Sequence, residues 1–391
     1  MAGISTSILF NLAVLLSASF IVGELFERIG LESIIGYIVT GLLLGPDLLD
    51  LVQPEAMAGF GTIGATLILF QAGLREENVA DIFRHEEGLD LGLAVLIAPF
   101  IFILATLLVL GPRFLPYTGL QEFVFIALAY AVVDIGVPSK LMLSKNLLEE
   151  ETGKYTIKSS VINVTAGLAV LTVLVMLSSS TIGSVMAKAG GILGFTLLFF
   201  LLHEFVHRLD DYIIMFEEVE AEFAITFALL LFMAYLTELV GLSSVLGAFF
   251  AGIIVSRSDF SDSRAFQEKI NAIGEGLFIP LFFAWFGLGL KLFGDAGMIA
   301  NIEAAFFLFA LSTVSKFGTG YLVTRNHGKD KPFMISSSLL SLDIETLVIL
   351  LIGIDLGVFG SEILQIFAPS VLFSTITIVL LYSLLERTGR A

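Results

Sequence analysis

An all-helical, polytopic membrane fold is the class this sequence predicts, and three observations predict it. Of its 391 residues 57% are hydrophobic and only 15% charged, a balance outside the range of soluble domains. Apolar runs recur from end to end, each long enough to cross a hydrocarbon core of roughly 30 Å. Basic residues collect on one side of those runs, as the positive-inside rule requires of a real topology. No stretch is long and polar enough to form a separate soluble domain.

About thirteen spans are expected, at 4–26, 32–47, 58–74, 90–111, 121–143, 156–178, 186–204, 221–237, 242–256, 272–291, 301–323, 332–352 and 362–385. The first follows no basic stretch and is expected to be a span rather than a cleaved leader. The second and ninth are short and glycine-rich, with Gly36, Gly41 and Gly45 in one and Gly247 and Gly252 in the other, which suits close helix packing. The seventh ends on His203, Glu204 and His207, an ordinary interfacial set. The tenth begins near Glu275, a candidate for lining an inner funnel. Phenylalanine pairs such as Phe199-Phe200 are expected to face lipid or neighbouring helices.

Of the 20 Lys and Arg, three (Arg113, Lys188 and Lys291) fall on one side of these spans and Lys316 falls inside one. The remaining sixteen share the other side, which places the N-terminus outside and the C-terminus in the cytoplasm. Miscounting one central span would destroy the asymmetry, so it also supports thirteen. The net charge of −17 lies mostly in runs such as Glu149-Glu-Glu151 and reads as a solvated face. With no cysteine and only four histidines, thiol ligands are excluded and a histidine metal centre is not expected.

An odd number of spans invites two inverted halves around one linker span. Residues 1–185 (spans 1–6) form the first repeat, 186–215 the linker span, and 216–391 (spans 8–13) the second. The fifth span then matches the twelfth. The fifth carries Asp134 within Val133-Asp134-Ile-Gly136-Val-Pro138, and the twelfth carries Asp343 and Glu345. An acid in mid-span costs at least a few kcal/mol, and the Gly and Pro beside Asp134 free carbonyls that lipid cannot satisfy. The simplest use for such a stretch is a mid-membrane ion or proton site on a broken helix. Asn163 and Thr165 in the sixth span and Lys316 in the eleventh complete the polar set, one cation against three acids. Asp343 and Glu345 are two apart, so on an intact helix only one of them faces Asp134.

Several stretches resemble the cation:proton antiporter superfamily, closest to its Kef-type and bacterial sodium/proton exchanger branch. They are Gly36-Tyr-Ile-Val-Thr-Gly41-Leu-Leu-Leu-Gly45-Pro46, Leu67-Ile-Leu-Phe-Gln-Ala-Gly73, Gly241-Leu-Ser-Ser-Val-Leu-Gly247-Ala-Phe-Phe-Ala-Gly252 and Glu275-Gly-Leu-Phe-Ile-Pro280. The likeness runs in order along nearly the whole chain. It implies a panel domain, a core domain with two crossing broken helices, a homodimer and an elevator-like alternating-access cycle. Lys316 matches the family's lysine. Asn163-Val164 departs from the family's Asn-Asp or Asp-Asp pair, and Leu342-Asp343-Ile344-Glu345 departs from its Pro-Arg-Gly-Glu, with no helix breaker.

Two functions follow. In the first, the chain exchanges a monovalent cation, sodium or potassium, for protons. Asp134 with Asp343 or Glu345 holds ion and proton in turn, Asn163 and Thr165 add neutral oxygens, and Lys316 balances charge when the ion leaves. Asp134, Asn163 and Asp343 are then the cation ligands. A carboxylate whose protonation burial favours can serve such a cycle near neutral pH. In the alternative, Val164 marks a scaffold that has lost exchange and acts as a uniporter, a transporter of another solute or a sensor. Either way the reading is of an integral protein of a prokaryotic plasma membrane, among lipids, with no enzymatic chemistry, no cofactor and no nucleic-acid partner.

Overall fold

The computed structural model of the chain describes residues 3–29, 33–74, 88–133, 151–177, 194, 221–239, 244–258, 261, 263–294, 297–326, 331–342 and 344–387. The expected seventh span, and with it His203, Glu204 and His207, lies outside the described residues except for residue 194. Six described helices are long and apolar enough to cross a membrane. The chain divides into two compact units, Met1–Val79 with Val175–Leu290, and Ala80–Leu174 with Lys291–Ala391.

Unit one is built from α1 (Gly3–Arg28), α2 (Ser33–Leu44), α3 (Pro54–Leu74), α7 (Ala221–Leu239), α8 (Ser244–Val255), α9 (Arg264–Ile273) and α10 (Ile279–Leu288). Glycine lets its helices touch backbone to backbone. A Cβ on Gly41 of α2 would run into the Ala284 carbonyl and the Cα of Gly287 on α10, and one on Gly73 of α3 would meet the Phe249 carbonyl and the Cα of Gly252 on α8. The glycine-rich second and ninth spans therefore pack as closely as their composition predicts. A core of Leu67, Phe70, Leu230, Met233, Ala251 and Ile254 fills the space between α3, α7 and α8. The amphipathic α9 is capped by Ser263, whose hydroxyl accepts from Phe266 N at 3.2 Å, and it buries Phe266 and Ile270 in that core. A π-helical turn, Gly274–Phe278, joins α9 to α10 and carries Glu275 exposed to its surroundings.

Unit two is built from α4 (Leu89–Phe114), α5 (Leu120–Ala131), α6 (Glu151–Leu177), α11 (Ile302–Thr324), α12 (Lys331–Ser338), α13 (Ile344–Asp355) and α14 (Ile363–Arg387). α11 is its central post and packs against α4, α5, α12 and α14, while α13 packs against α5. α6 lies along α4, where Gly92 comes against the Ser159 carbonyl and the Ile162 side chain. At one end of this unit the Phe359 ring sits tilted against Tyr117 and edge-on to Phe125, at centroid distances of 5.9 and 6.3 Å, which ties the loop after α13 to α5 and the loop before it.

Two helices of unit two stop in mid-span. α5 ends at Ala131, and Val132 is extended at φ −67°, ψ 141°. Two β-branched valines follow, with Gly136 and Pro138 beyond them, so the sequence favours a stop there. The second break is unwound through Ser341 and Leu342, between α12 and α13. The sequence shows no helix breaker at this point, yet the helix is not continuous. Glu345 lies in the first turn of α13, and Asp343 lies outside the described residues. Each of Ser336, Ser337 and Ser338 spends its hydroxyl on the carbonyl four residues back, at 2.6, 2.7 and 2.9 Å, a pattern that weakens and bends helices.

Candidate ion and proton site

A broken helix inside a membrane leaves backbone groups that lipid cannot satisfy, so each must find a partner within the protein. In unit two the partners at the breaks are side chains. Lys316, fully buried in α11, donates from Nζ to the Val132 carbonyl at 2.7 Å and to the Ser341 carbonyl at 3.3 Å. The Val132 carbonyl caps the C-terminus of α5, where the helix dipole concentrates negative partial charge, and the Ser341 carbonyl lies in the unwound chain that follows α12. One ammonium thus links both breaks. Ser312, one turn earlier on the same face of α11, donates to the Tyr130 carbonyl at 2.7 Å.

α6 serves the other side of the first break. Val133 N–H donates to Asn163 Oδ1 at 2.9 Å, and Asn163 Nδ2 donates to the Gly92 carbonyl at 3.4 Å. Asn163 is buried because both ends of its amide are used. Val164 beside it is fully buried and offers no ligand. Thr165 is half-buried and, two residues on, stands on the opposite side of α6 from Asn163.

Glu345 lies in the first turn of α13 and is buried, at 5% exposure. A carboxylate there sits beside the positive end of the second half-helix. Asp134 and Asp343 lie outside the described residues, while their neighbours Val133 and Leu342 are both buried next to the breaks. Of the six residues singled out in the sequence, Lys316 and Asn163 thus meet at the first break and Glu345 opens the helix after the second. Sequence reasoning missed the carbonyl acceptors, which carry no residue-type signal. It also missed Ser312, whose spacing of four from Lys316 was the available clue, and Ser374 of α14, which donates to the Leu340 carbonyl at 2.9 Å.

Tyr130, in the last turn of α5, adds a tie toward α14. Its hydroxyl donates to Ser370 Oγ at 3.1 Å, and Ser370 Oγ in turn lies 3.0 Å from the Ala305 carbonyl and 2.9 Å from the Ile366 carbonyl. The end of α5 is therefore held from α6, α11 and α14 at once.

The architecture is a known one. The model of the family described as sodium/hydrogen exchanger, transmembrane, matches residues 14–384. The chain belongs to the sodium/hydrogen exchanger family. Among relatives of this exchanger-family chain, a Na(+)/H(+) antiporter of Enterococcus hirae is 27% identical over 359 residues, covering 88% of each protein. The Na(+)/H(+)-K(+) antiporter GerN of Bacillus cereus is 22% identical over 356 residues, covering 90% of this chain and 89% of GerN. The fold is shared with the sodium proton antiporter MjNhaP1 from Methanocaldococcus jannaschii at pH 8, with a TM-score of 0.70 and 15% identity over 99% of this chain and 98% of that one. The exchanger-family chain is accordingly an integral membrane protein and a transporter rather than an enzyme.

Proposed function

We propose that this protein exchanges a monovalent cation for protons by alternating access, at the two helix breaks of unit two. The observation that carries the proposal is Lys316, a buried ammonium shared between carbonyls of both breaks. A positive charge fixed there balances anionic groups placed beside it, and the chain supplies Asp134 at the first break and Asp343 and Glu345 at the second. Those acids hold the ion in one phase and the proton in the other. Asn163 keeps the first break in shape, and Thr165 is a further neutral oxygen on α6. The names of the relatives, Na(+)/H(+) and Na(+)/H(+)-K(+) antiporters, support sodium or potassium as the cation and weigh against a scaffold that has lost exchange.

The proposal includes two inverted repeats of six spans around a linker span. One constant offset along the sequence carries Gly36 to Gly247, Gly41 to Gly252, Asp134 to Glu345 and Asn163 to Ser374. The contacts inside unit one support the pairing. The second span of the first half meets the third of the second half at Gly41 and Gly287, and the third of the first meets the second of the second at Gly73 and Gly252. On this reading the two breaks are crossing partners, the N-terminus is outside, the C-terminus is cytoplasmic, and the working form is a homodimer.

The test is purified protein in vesicles holding an internal pH dye, challenged with sodium, potassium or lithium between about pH 5 and 9. Cation-dependent alkalinisation or acidification is expected, with its sign reversing when the ion gradient reverses. No cation-dependent proton movement anywhere in that range would refute the proposal.

A further inference from the structure

The second break is clipped from α14. Ser374 of α14 is 1% exposed, and its hydroxyl donates to the Leu340 carbonyl at 2.9 Å. Leu340 and Ser341 are consecutive residues where α12 gives way to the unwound chain. The first carbonyl goes to Ser374 and the second to Lys316. Peptide units are planar, so only two dihedrals separate these carbonyl directions, and fixing the first narrows the swing of the second. The first break is also held from two helices, here on a single peptide unit: its Val132 carbonyl goes to Lys316 and its Val133 N–H goes to Asn163. The offset that relates the two halves carries Asn163 to Ser374, so each break has one clip from the last span of its own half.

We propose that Ser374 is a positioning residue of the exchange site: by holding the Leu340 carbonyl it keeps the Ser341 carbonyl on Lys316 and so sets the affinity for the monovalent cation. The inference rests on the exchange reading above. A hydroxyl in this place has a cost that only a hydrogen bond offsets, and an alanine or valine would leave a buried carbonyl without its partner.

The test compares Ser374→Val with Ser374→Thr in the vesicle assay, with sodium and potassium titrated. Threonine and valine have nearly the same shape, so both crowd the site equally and differ only in the hydroxyl. Ser374→Val is expected to raise the cation KM about fivefold or more with kcat within about twofold, while Ser374→Thr follows the wild type. A merely structural role would lower the amount of active protein and leave KM unchanged. Equal KM values for the two variants overturn the proposal. Should Ser374→Val fail to fold, Ser374→Ala takes its place against Ser374→Thr, read as the sodium-dependent rise in melting temperature of detergent-purified protein. A wild type with neither exchange nor sodium-dependent stabilisation removes the exchange reading and this proposal together. An active wild type whose Ser374 variants share its KM removes this proposal alone.

Discussion

Lys316 is fully buried, and its ammonium donates to the Val132 and Ser341 carbonyls at the two breaks. Replacing it by methionine keeps much of the side chain's bulk and removes the donor. The expected result is loss of exchange together with about 2–4 kcal/mol of stability, since breaking a buried charged interaction strands its partners. Thermal melting and transport of the purified variant check both parts. Tyr117 makes the opposite case. Its hydroxyl is buried with no hydrogen-bond partner among the described residues, and burial, with the nearby Glu362 and Glu122 carboxylates, pushes the phenol well above its ordinary pKa of 10.0. Because the folded state holds the proton more tightly than the unfolded chain, the associated stability is full below about pH 10 and is lost as pH rises above it. Tyr117→Phe is expected to leave stability at pH 7 unchanged or raise it by about 1 kcal/mol, and to flatten that alkaline decline. At this scale the sequence is most legible where a residue type is costly. A mid-span lysine, asparagine or acid stands out because lipid penalises it. The acceptors of Lys316 do not stand out, because every residue has a carbonyl.

Among the elements, the two breaks differ in how visible they are. The first announces itself with Val132, Val133, Gly136 and Pro138. The second lacks glycine and proline altogether and is held open by tertiary hydrogen bonds from Lys316 and Ser374, with the serine run of α12 loosening the helix before it. Local propensity could not report it, since the cause lies in α11 and α14. Asn163→Leu removes the acceptor of Val133 N–H while keeping the branched shape and the number of side-chain heavy atoms, and transport should fall at least about tenfold while the protein still inserts and folds. The glycine contacts of unit one make a separate prediction. Gly73→Val or Gly252→Val forces a side chain into the facing backbone and should abolish folded protein in detergent, whereas Gly59→Ala meets nothing within 4 Å and should be silent. Size-exclusion profiles of the three variants decide this.

At the scale of the whole molecule, composition and basic-residue asymmetry carried the class, the span positions and the expected orientation. Described helices fall on twelve of the expected spans, the fifth described only to residue 133 and the twelfth divided into α12 and α13, and the seventh lies outside the described residues except for residue 194. The family resemblance implied a panel and a core domain, but which helices make up each of the two interleaved units was not legible, because helix packing partners are chosen by contacts between distant segments. The absence of cysteine makes orientation simple to measure. In sealed, right-side-out cells, Ser361→Cys should react with a membrane-impermeant thiol reagent, and Asn326→Cys only after the membrane is opened; the reverse pattern would invert the topology.

Exchange at this site requires that the acids flanking the two breaks carry the ion and the proton. The direct measurement is uptake of labelled sodium or potassium into vesicles, driven by a pH gradient, for the wild type and for the triple variant Asp134→Asn, Asp343→Asn, Glu345→Gln. Uptake that follows the gradient in the wild type and falls to the empty-vesicle level in the variant is the predicted result. Undiminished gradient-driven uptake by the variant would contradict it.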